Sequence, residues 1–100
     1  MKVFLSELAE SKLLKLSEYL VEEWNMKVRK EFFKKFDNKI NQIKLQPESC
    51  PKSNEIQGLY KCVVTKQNTF FYRLNLDKKE IEIITIFDTR MNPENLKKEI

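Results

Sequence analysis

FFYRLNLDKKEIEIITIFDTRMNP, residues Phe70 to Pro93, is the stretch whose reading decides the fold. Phe70, Tyr72 and Leu74 alternate with Phe71, Arg73 and Asn75, so a strand over Thr69 to Leu74 presents two different faces. Leu76-Asp-Lys-Lys reads as a turn. Glu80 to Phe87 (EIEIITIF) reads as a second strand, dense in isoleucine as a central, mostly buried strand should be. So short a turn makes the two strands antiparallel. One arginine, Arg73, lies inside the aromatic strand, and another, Arg90, follows the apolar one. An arginine in a packed sheet is either a salt-bridge partner or a binding group.

Upstream, the same two-residue period begins at Gly58, the only glycine. Leu59 to Thr65 (LYKCVVT) predicts a further strand, with Lys66-Gln-Asn as its turn. Downstream, Asn92 and Pro93 fit the N-cap and first turn of a short terminal helix, PENLKKEI. Before Gly58 the period is helical. Leu5, Leu8, Ala9, Leu13, Leu16, Leu20 and Trp24 fall at steps of about three and four. Leu14 and Val21 widen that face. Ser6 caps this helix, expected over Glu7 to Glu23, with Glu7 and Glu10 in its first turn. Asn25 punctuates. Val28, Phe32, Phe36, Ile40 and Ile43, with Phe33 beside them, predict a second helix, which Pro47 and Pro51 stop. Two long helices with so short a connection pack antiparallel. Lys2 to Leu5 reads as a strand, at the edge or centre of the sheet.

The expected fold class is therefore α+β, ordered β-α-α-β-β-β-α, over one domain of residues 1–100. An N-terminal strand and an antiparallel helical hairpin pack on a small, mainly antiparallel sheet, with a short C-terminal helix. The face of the sheet away from the hairpin is expected to be less fully covered, and to carry function.

Composition narrows the function. Hydrophobic residues make up 41% and charged residues 34%, with one glycine and three prolines, which argues against disorder. No apolar run spans a bilayer and no secretory signal is visible, so the expected compartment is the cytoplasm. Net charge is +4 without a single histidine. The charge is uneven: Ser6 to Glu23 holds two lysines and five glutamates, and Trp24 to Leu45 holds seven basic and two acidic residues. These runs read first as solvated helix faces. The lack of histidine removes Ser-His-Asp and Cys-His catalysis and leaves a zinc site little to draw on, so neither metal nor cofactor is expected. Cys50 and Cys62 lack metal-ligand spacing. A disulfide between them and two free thiols are both open, with Cys62 read as a small buried hydrophobe.

What remains is a basic and aromatic set on or beside the strands: Tyr60, Lys61, Lys66, Tyr72, Arg73 and Arg90. Phe71 and Arg73 share a face, as a stacking and phosphate-binding pair would. Arginine suits bidentate contact with phosphate or carboxylate. The competing reading pairs Arg73 with Asp88, Glu82 or a helix glutamate. Phe32, Phe33, Phe36, Phe70 and Phe87 read as core, and Trp24 as a packing lid at the hairpin apex.

These elements together resemble the RelE/ParE superfamily of bacterial type II toxin–antitoxin toxins. The residues that carry the resemblance are EYLVEEW (Glu18 to Trp24), INQIKLQPES (Ile40 to Ser49), GLYKCVV (Gly58 to Val64), FFYRLN (Phe70 to Asn75) and EIEIITIFDTRMNP (Glu80 to Pro93). The long hairpin, the aromatic-Tyr-Arg strand and the Met-Asn after the last strand look closer to the ParE branch. The resemblance implies the compact toxin fold, a cognate antitoxin partner and growth inhibition. ParE-like toxins inhibit DNA gyrase. RelE-like toxins cleave mRNA in the ribosomal A site with basic residues on the sheet and, often, a C-terminal tyrosine or histidine. Lys61 and Arg73 match basic strand positions of that branch, and Arg90 its arginine after the last strand. Lys66 and Phe71 complete the candidate target- or phosphate-binding set. The tail after Arg90 holds neither tyrosine nor histidine, so a group to activate a ribose hydroxyl is missing. The expected function is a gyrase-binding toxin. The alternatives are a ribosome-dependent mRNA endonuclease and a non-toxic relative that only binds its antitoxin.

Overall fold

The computed structural model describes residues 1–100, with the side chain of Pro93 excepted. The elements follow the expected order: β1 (Lys2–Leu5), α1 (Glu7–Glu23), α2 (Met26–Leu45), β2 (Tyr60–Val63), β3 (Asn68–Asn75), β4 (Glu80–Asp88) and α3 (Pro93–Glu99). The fold is α+β. Its four strands run in the order β1-β4-β3-β2. β2, β3 and β4 pair antiparallel, and β1 adds to the edge of β4 in parallel.

Polar residues set where the helices begin. Ser6 is extended, and its hydroxyl accepts the Ala9 N–H at 3.0 Å, starting α1. Asn25 does the same for Val28 at 3.0 Å and starts α2. Each cap satisfies one amide that the first helical turn leaves without a partner. With Asn25 the only break, the two helices fold back on each other.

The hairpin buries its apolar stripe on one face of the sheet. Leu20, Phe32, Phe36 and Ile43 meet Phe70, Tyr72, Ile81, Ile83 and Ile86. Phe36 stands edge-on to Phe70 with centroids 5.6 Å apart, an arrangement that aromatic quadrupoles favour. A second cluster lies on the other face: Leu59, Phe71, Ile84, Phe87 and Leu96 of α3. That face is therefore covered at one end only, in keeping with the expectation that it is the less fully covered one.

The reason is one extra residue in β4. Phe71 lies opposite Thr85 and Tyr72 opposite Ile83, so Ile84 has no partner in β3. A bulge of this kind reverses the parity of a strand. Ile81, Ile83 and Ile86 can thus all face the helices, while Ile84 and Phe87 face α3. Ser6 anchors the irregularity. Its N–H donates to the Ile83 carbonyl at 2.9 Å, and its hydroxyl donates to the Ile84 carbonyl at 2.6 Å.

Three expectations need correction. Trp24 is 65% exposed and Leu14 63%, so neither belongs to the packed stripe. Trp24 is the C-cap of α1 and lies beyond its last helical turn. The strand expected over Leu59 to Thr65 covers only Tyr60–Val63, because Val64 and Thr65 already donate their amides to the Asn68 carbonyl in the turn.

Ser6 joins two tasks, and their loss is measurable. Replacing it with alanine removes a cap and strips the Ile84 carbonyl of a partner. The expected cost is about 2 kcal/mol, against about 1 kcal/mol for Asn25→Ala, which removes a cap alone. Urea unfolding of both variants checks the difference, and equal losses would contradict the anchoring role of Ser6.

Candidate functional site

The second face of the sheet carries two of the candidate cations in successive rows. Lys61 of β2 lies beside Phe71, which lies beside Thr85. Arg73 lies beside Glu82, which lies beside Phe4 of β1. α3 crosses the first row. Its Leu96 packs into the Phe71 cluster, and Glu99 forms an ion pair with Lys12 of α1, whose ammonium also sits 5.8 Å from the centroid of Phe87. The second row stays open to solvent.

Each cation already has a carboxylate. Lys61 Nζ meets Glu55 Oε1 at 3.0 Å, and Glu55 Oε2 accepts the Ser53 hydroxyl at 2.9 Å. The hydrogen bond from Lys61 is the main cause holding the Glu55 carboxyl below its usual range, against a smaller opposing effect of burial. Arg73 Nη2 meets Glu82 Oε1 at 2.7 Å, with the arginine side chain 61% exposed. Of the partners considered for Arg73, Glu82 is the one the register supplies.

Phe71 does not serve as an open stacking ring. It is 1% exposed, sealed under α3 between Phe87 and Leu96. Alternation alone placed it beside Arg73, but the terminal helix covers its row and stops short of the next.

Arg90 and Lys66 lie elsewhere, at the end of the molecule formed by the hairpin apex. Arg90 forks onto Asp88, with Nε to Oδ1 at 3.0 Å and Nη2 to Oδ2 at 2.6 Å, and its own N–H also reaches Oδ1 at 2.9 Å. Asp88 raises the Arg90 pKa, with the Tyr19 phenol of α1 adding a smaller contribution. Arg90 in turn holds Asp88 below its usual range. The Lys66 turn is tied to the same place, since the Thr89 hydroxyl donates to the Lys66 carbonyl at 3.1 Å and the Thr89 N–H to Gln67 at 2.9 Å. Beside it a cleft of about 260 Å³ runs between the helices and this turn, lined by Trp24, Val28, Lys35 and Gln67 among others. The structure thus splits the five candidates: Lys61, Phe71 and Arg73 along the sheet, Lys66 and Arg90 at the apex. It adds Tyr19 and Trp24 to the apex group. Tyr19 was overlooked because it falls off the apolar stripe of α1, and that same offset is the signal that could have found it.

The loop between α2 and β2 completes the surroundings. The buried Tyr72 hydroxyl donates to the Pro47 carbonyl at 2.7 Å. Burial, first of all, drives the Tyr72 phenol well above its usual range. Cys50 and Cys62 are both buried free thiols. Among the described residues no group of three or more His, Cys, Asp or Glu could hold a metal ion, and no helix is long and apolar enough to cross a membrane.

Residues 3–93 match the family described as ParE toxin of type II toxin-antitoxin system, parDE. The chain belongs to this family. Membership implies an antitoxin partner. Solved structures share the fold. A chain of the chromosomal ParDE TA system from P. aeruginosa superposes with a TM-score of 0.72 at 13% identity, over 88% of this chain and 95% of that one. A YoeB/ParE toxin from Agrobacterium tumefaciens gives 0.63 at 16% identity, over 88% of this chain and 98% of that one. Comparison with curated protein sequences returns no significant match.

Both depressed carboxyls predict acid sensitivity. A carboxyl whose folded-state pKa is lowered adds stability above its unfolded pKa and loses it as pH falls through the folded value. Unfolding midpoints should therefore decline on acidification below about pH 4, and Glu55→Gln or Asp88→Asn should flatten the decline. Arg73 is more than half exposed, so Arg73→Ala should cost less than about 1 kcal/mol in the same urea experiment. A loss of about 3 kcal/mol or more would mark a buried structural pair instead.

Proposed function

We propose that this ParE-family chain inhibits growth in the cytoplasm by binding a protein target, DNA gyrase, and that its cognate antitoxin neutralises it. The observation that carries this reading is the dispersal of the cations. Lys61, Arg73 and Arg90 are each held by a different carboxylate, Glu55, Glu82 and Asp88, and do not converge on one point. Phosphodiester cleavage needs charge stabilisation and proton transfer focused on a single phosphate. The sequence has no histidine, and Met91 to Ile100 contains no tyrosine. A protein-binding surface has other needs, and the apex end meets them. Trp24, Tyr19 and Met26 are exposed around the apex, and Tyr19 approaches Arg90. Trp, Tyr and Arg are the side chains that dominate binding energy at interfaces. An exposed ion pair such as Asp88–Arg90 exchanges its partner at little cost, so a carboxylate on the target can take over the guanidinium.

A second reading rests on Lys61 and Arg73, which lie in neighbouring rows of one sheet face. In that reading they grip an mRNA phosphate on the ribosome, once Glu55 and Glu82 release them. A chain that binds only its antitoxin is the remaining alternative.

Induced expression, followed by parallel measurement of plasmid supercoiling and of protein synthesis, separates the three. The expected result is loss of supercoiling before synthesis falls, with purified chain inhibiting gyrase directly. Trp24→Ala and Arg90→Ala should each weaken that inhibition roughly tenfold or more while leaving the thermal midpoint nearly unchanged. Cleavage of mRNA on translating ribosomes with intact supercoiling would replace this proposal by the nuclease reading. Normal growth with retained antitoxin binding would leave only the third.

A further inference from the structure

The loop that carries Glu55 also carries Cys50, and its pairing with β2 puts that cysteine in a specific place. Lys52 and Tyr60 form an antiparallel bridge. It is flanked by the Lys61 N–H donating to the Pro51 carbonyl at 2.8 Å and the Ser53 N–H donating to the Leu59 carbonyl at 2.8 Å. Bonds on either side, and none within the pair, make Lys52–Tyr60 a non-hydrogen-bonded position. In an antiparallel ladder such positions recur every second residue. Two residues back from Lys52 is Cys50, and two residues on from Tyr60 is Cys62. Continued by one step, that register sets the two cysteines across from each other at the next position of the same kind.

That position suits a disulfide. Alpha carbons of non-hydrogen-bonded pairs come to about 4.5 Å, and native disulfides span about 4.4–6.8 Å. Both side chains point into the same core, with Phe70 and Tyr72. Burial first, and then the neighbouring Cys50 thiol, push the Cys62 thiol up to about 12. Pro51, between Cys50 and the bridge, has no N–H to lose, so drawing the strands together there breaks no second ladder bond.

We propose that Cys50 and Cys62 form an oxidisable dithiol, a modification site that closes to an intramolecular disulfide and clamps the Glu55 loop onto β2. With glutathione disulfide as oxidant the exchange balances. Cys50, the less deeply buried of the two, loses its proton and attacks one glutathione sulfur. The glutathione S–S bond breaks and one glutathione thiolate leaves. Cys62 then loses its proton and attacks the Cys50 sulfur, expelling the second glutathione. Two protein thiols give up two electrons, and one glutathione disulfide becomes two glutathione thiols. The ring so closed runs from Cys50 to Cys62 and holds Ser53, Glu55 and Lys61, so oxidation restrains the carboxylate that occupies Lys61.

Refolding of the reduced full chain in a glutathione redox buffer tests this without requiring access to buried sulfur. The expected product is a monomer lighter by two hydrogen atoms, inert to iodoacetamide after denaturation, with a thermal midpoint raised by roughly 10 °C over the reduced chain. Cys50→Ser and Cys62→Ser should each abolish that product while refolding under reducing conditions. Predominance of glutathione adducts, intermolecular dimers or two alkylatable thiols at the most oxidising ratio would overturn the proposal. So would a cross-linked chain that melts below the reduced one, because the native register would then not accommodate the bond.

Discussion

The unpaired residue Ile84 and the two hydrogen bonds from Ser6 hold the architecture together. EIEIITIF is apolar beyond what one face of a strand can absorb, and a regular strand would send half of its isoleucines to solvent. The bulge lets β4 serve two cores, with Ile81, Ile83 and Ile86 under the hairpin and Ile84 and Phe87 under α3. Full burial of such side chains stabilises by about 1.5–3 kcal/mol each. A bulge also leaves a carbonyl without its ladder partner, and Ser6 supplies the donor from the junction of β1 and α1. The residue that starts the first helix is thus the one that fixes the central strand, which aligns the hairpin with the sheet.

The surface follows from the same parity change. By turning Phe87 away from the hairpin, β4 creates the apolar seat on which Leu96 rests, and the Lys12–Glu99 pair ties α3 back to α1. α3 is short and covers only one end of the face. Phe71 is buried as a result, while Arg73, one row further, remains in water. At the hairpin apex Trp24 and Tyr19 stay exposed, with Tyr19 near the Asp88–Arg90 pair. The chain therefore keeps Arg73 and Arg90 in exposed pairs that contribute little to folding and remain available to a partner.

The loop from Gln46 to Leu59 is more tightly organised than its polar composition suggests. The Tyr72 hydroxyl, reaching through from the hairpin side of the sheet, holds Pro47. The Lys52–Tyr60 bridge extends the sheet by a partial strand, and the Ser53 hydroxyl accepts the N–H groups of Glu55 and Ile56 to fold the tip. Gly58, with φ of +90°, returns the chain to β2 through a conformation that a side chain would strain. These bonds set Glu55 against Lys61 and bring Cys50 into the same core as Cys62, so one loop shapes both the charge of the sheet face and the surroundings of the thiols.

The sequence by itself determined the elements and their order. Local chemistry decides these: apolar spacing of three and four, caps at Ser6 and Asn25, stops at Pro47 and Pro51, and alternation in FFYRLN. The ends of α1 and the family resemblance were legible for the same reason, since both reside in residues close along the chain. Tertiary structure alone decided which side chains are available. Trp24 and Phe71 exchanged the roles that periodicity assigned them, because a period reports which residues share a face and not whether another element lies on it. The dispersal of Lys61, Arg73 and Arg90, the approach of Tyr19 to Arg90 and the burial of Cys50 and Cys62 in one core all depend on contacts between distant segments. Register across the sheet and the one extra residue in β4 set those contacts, and no local pattern in the chain encodes either.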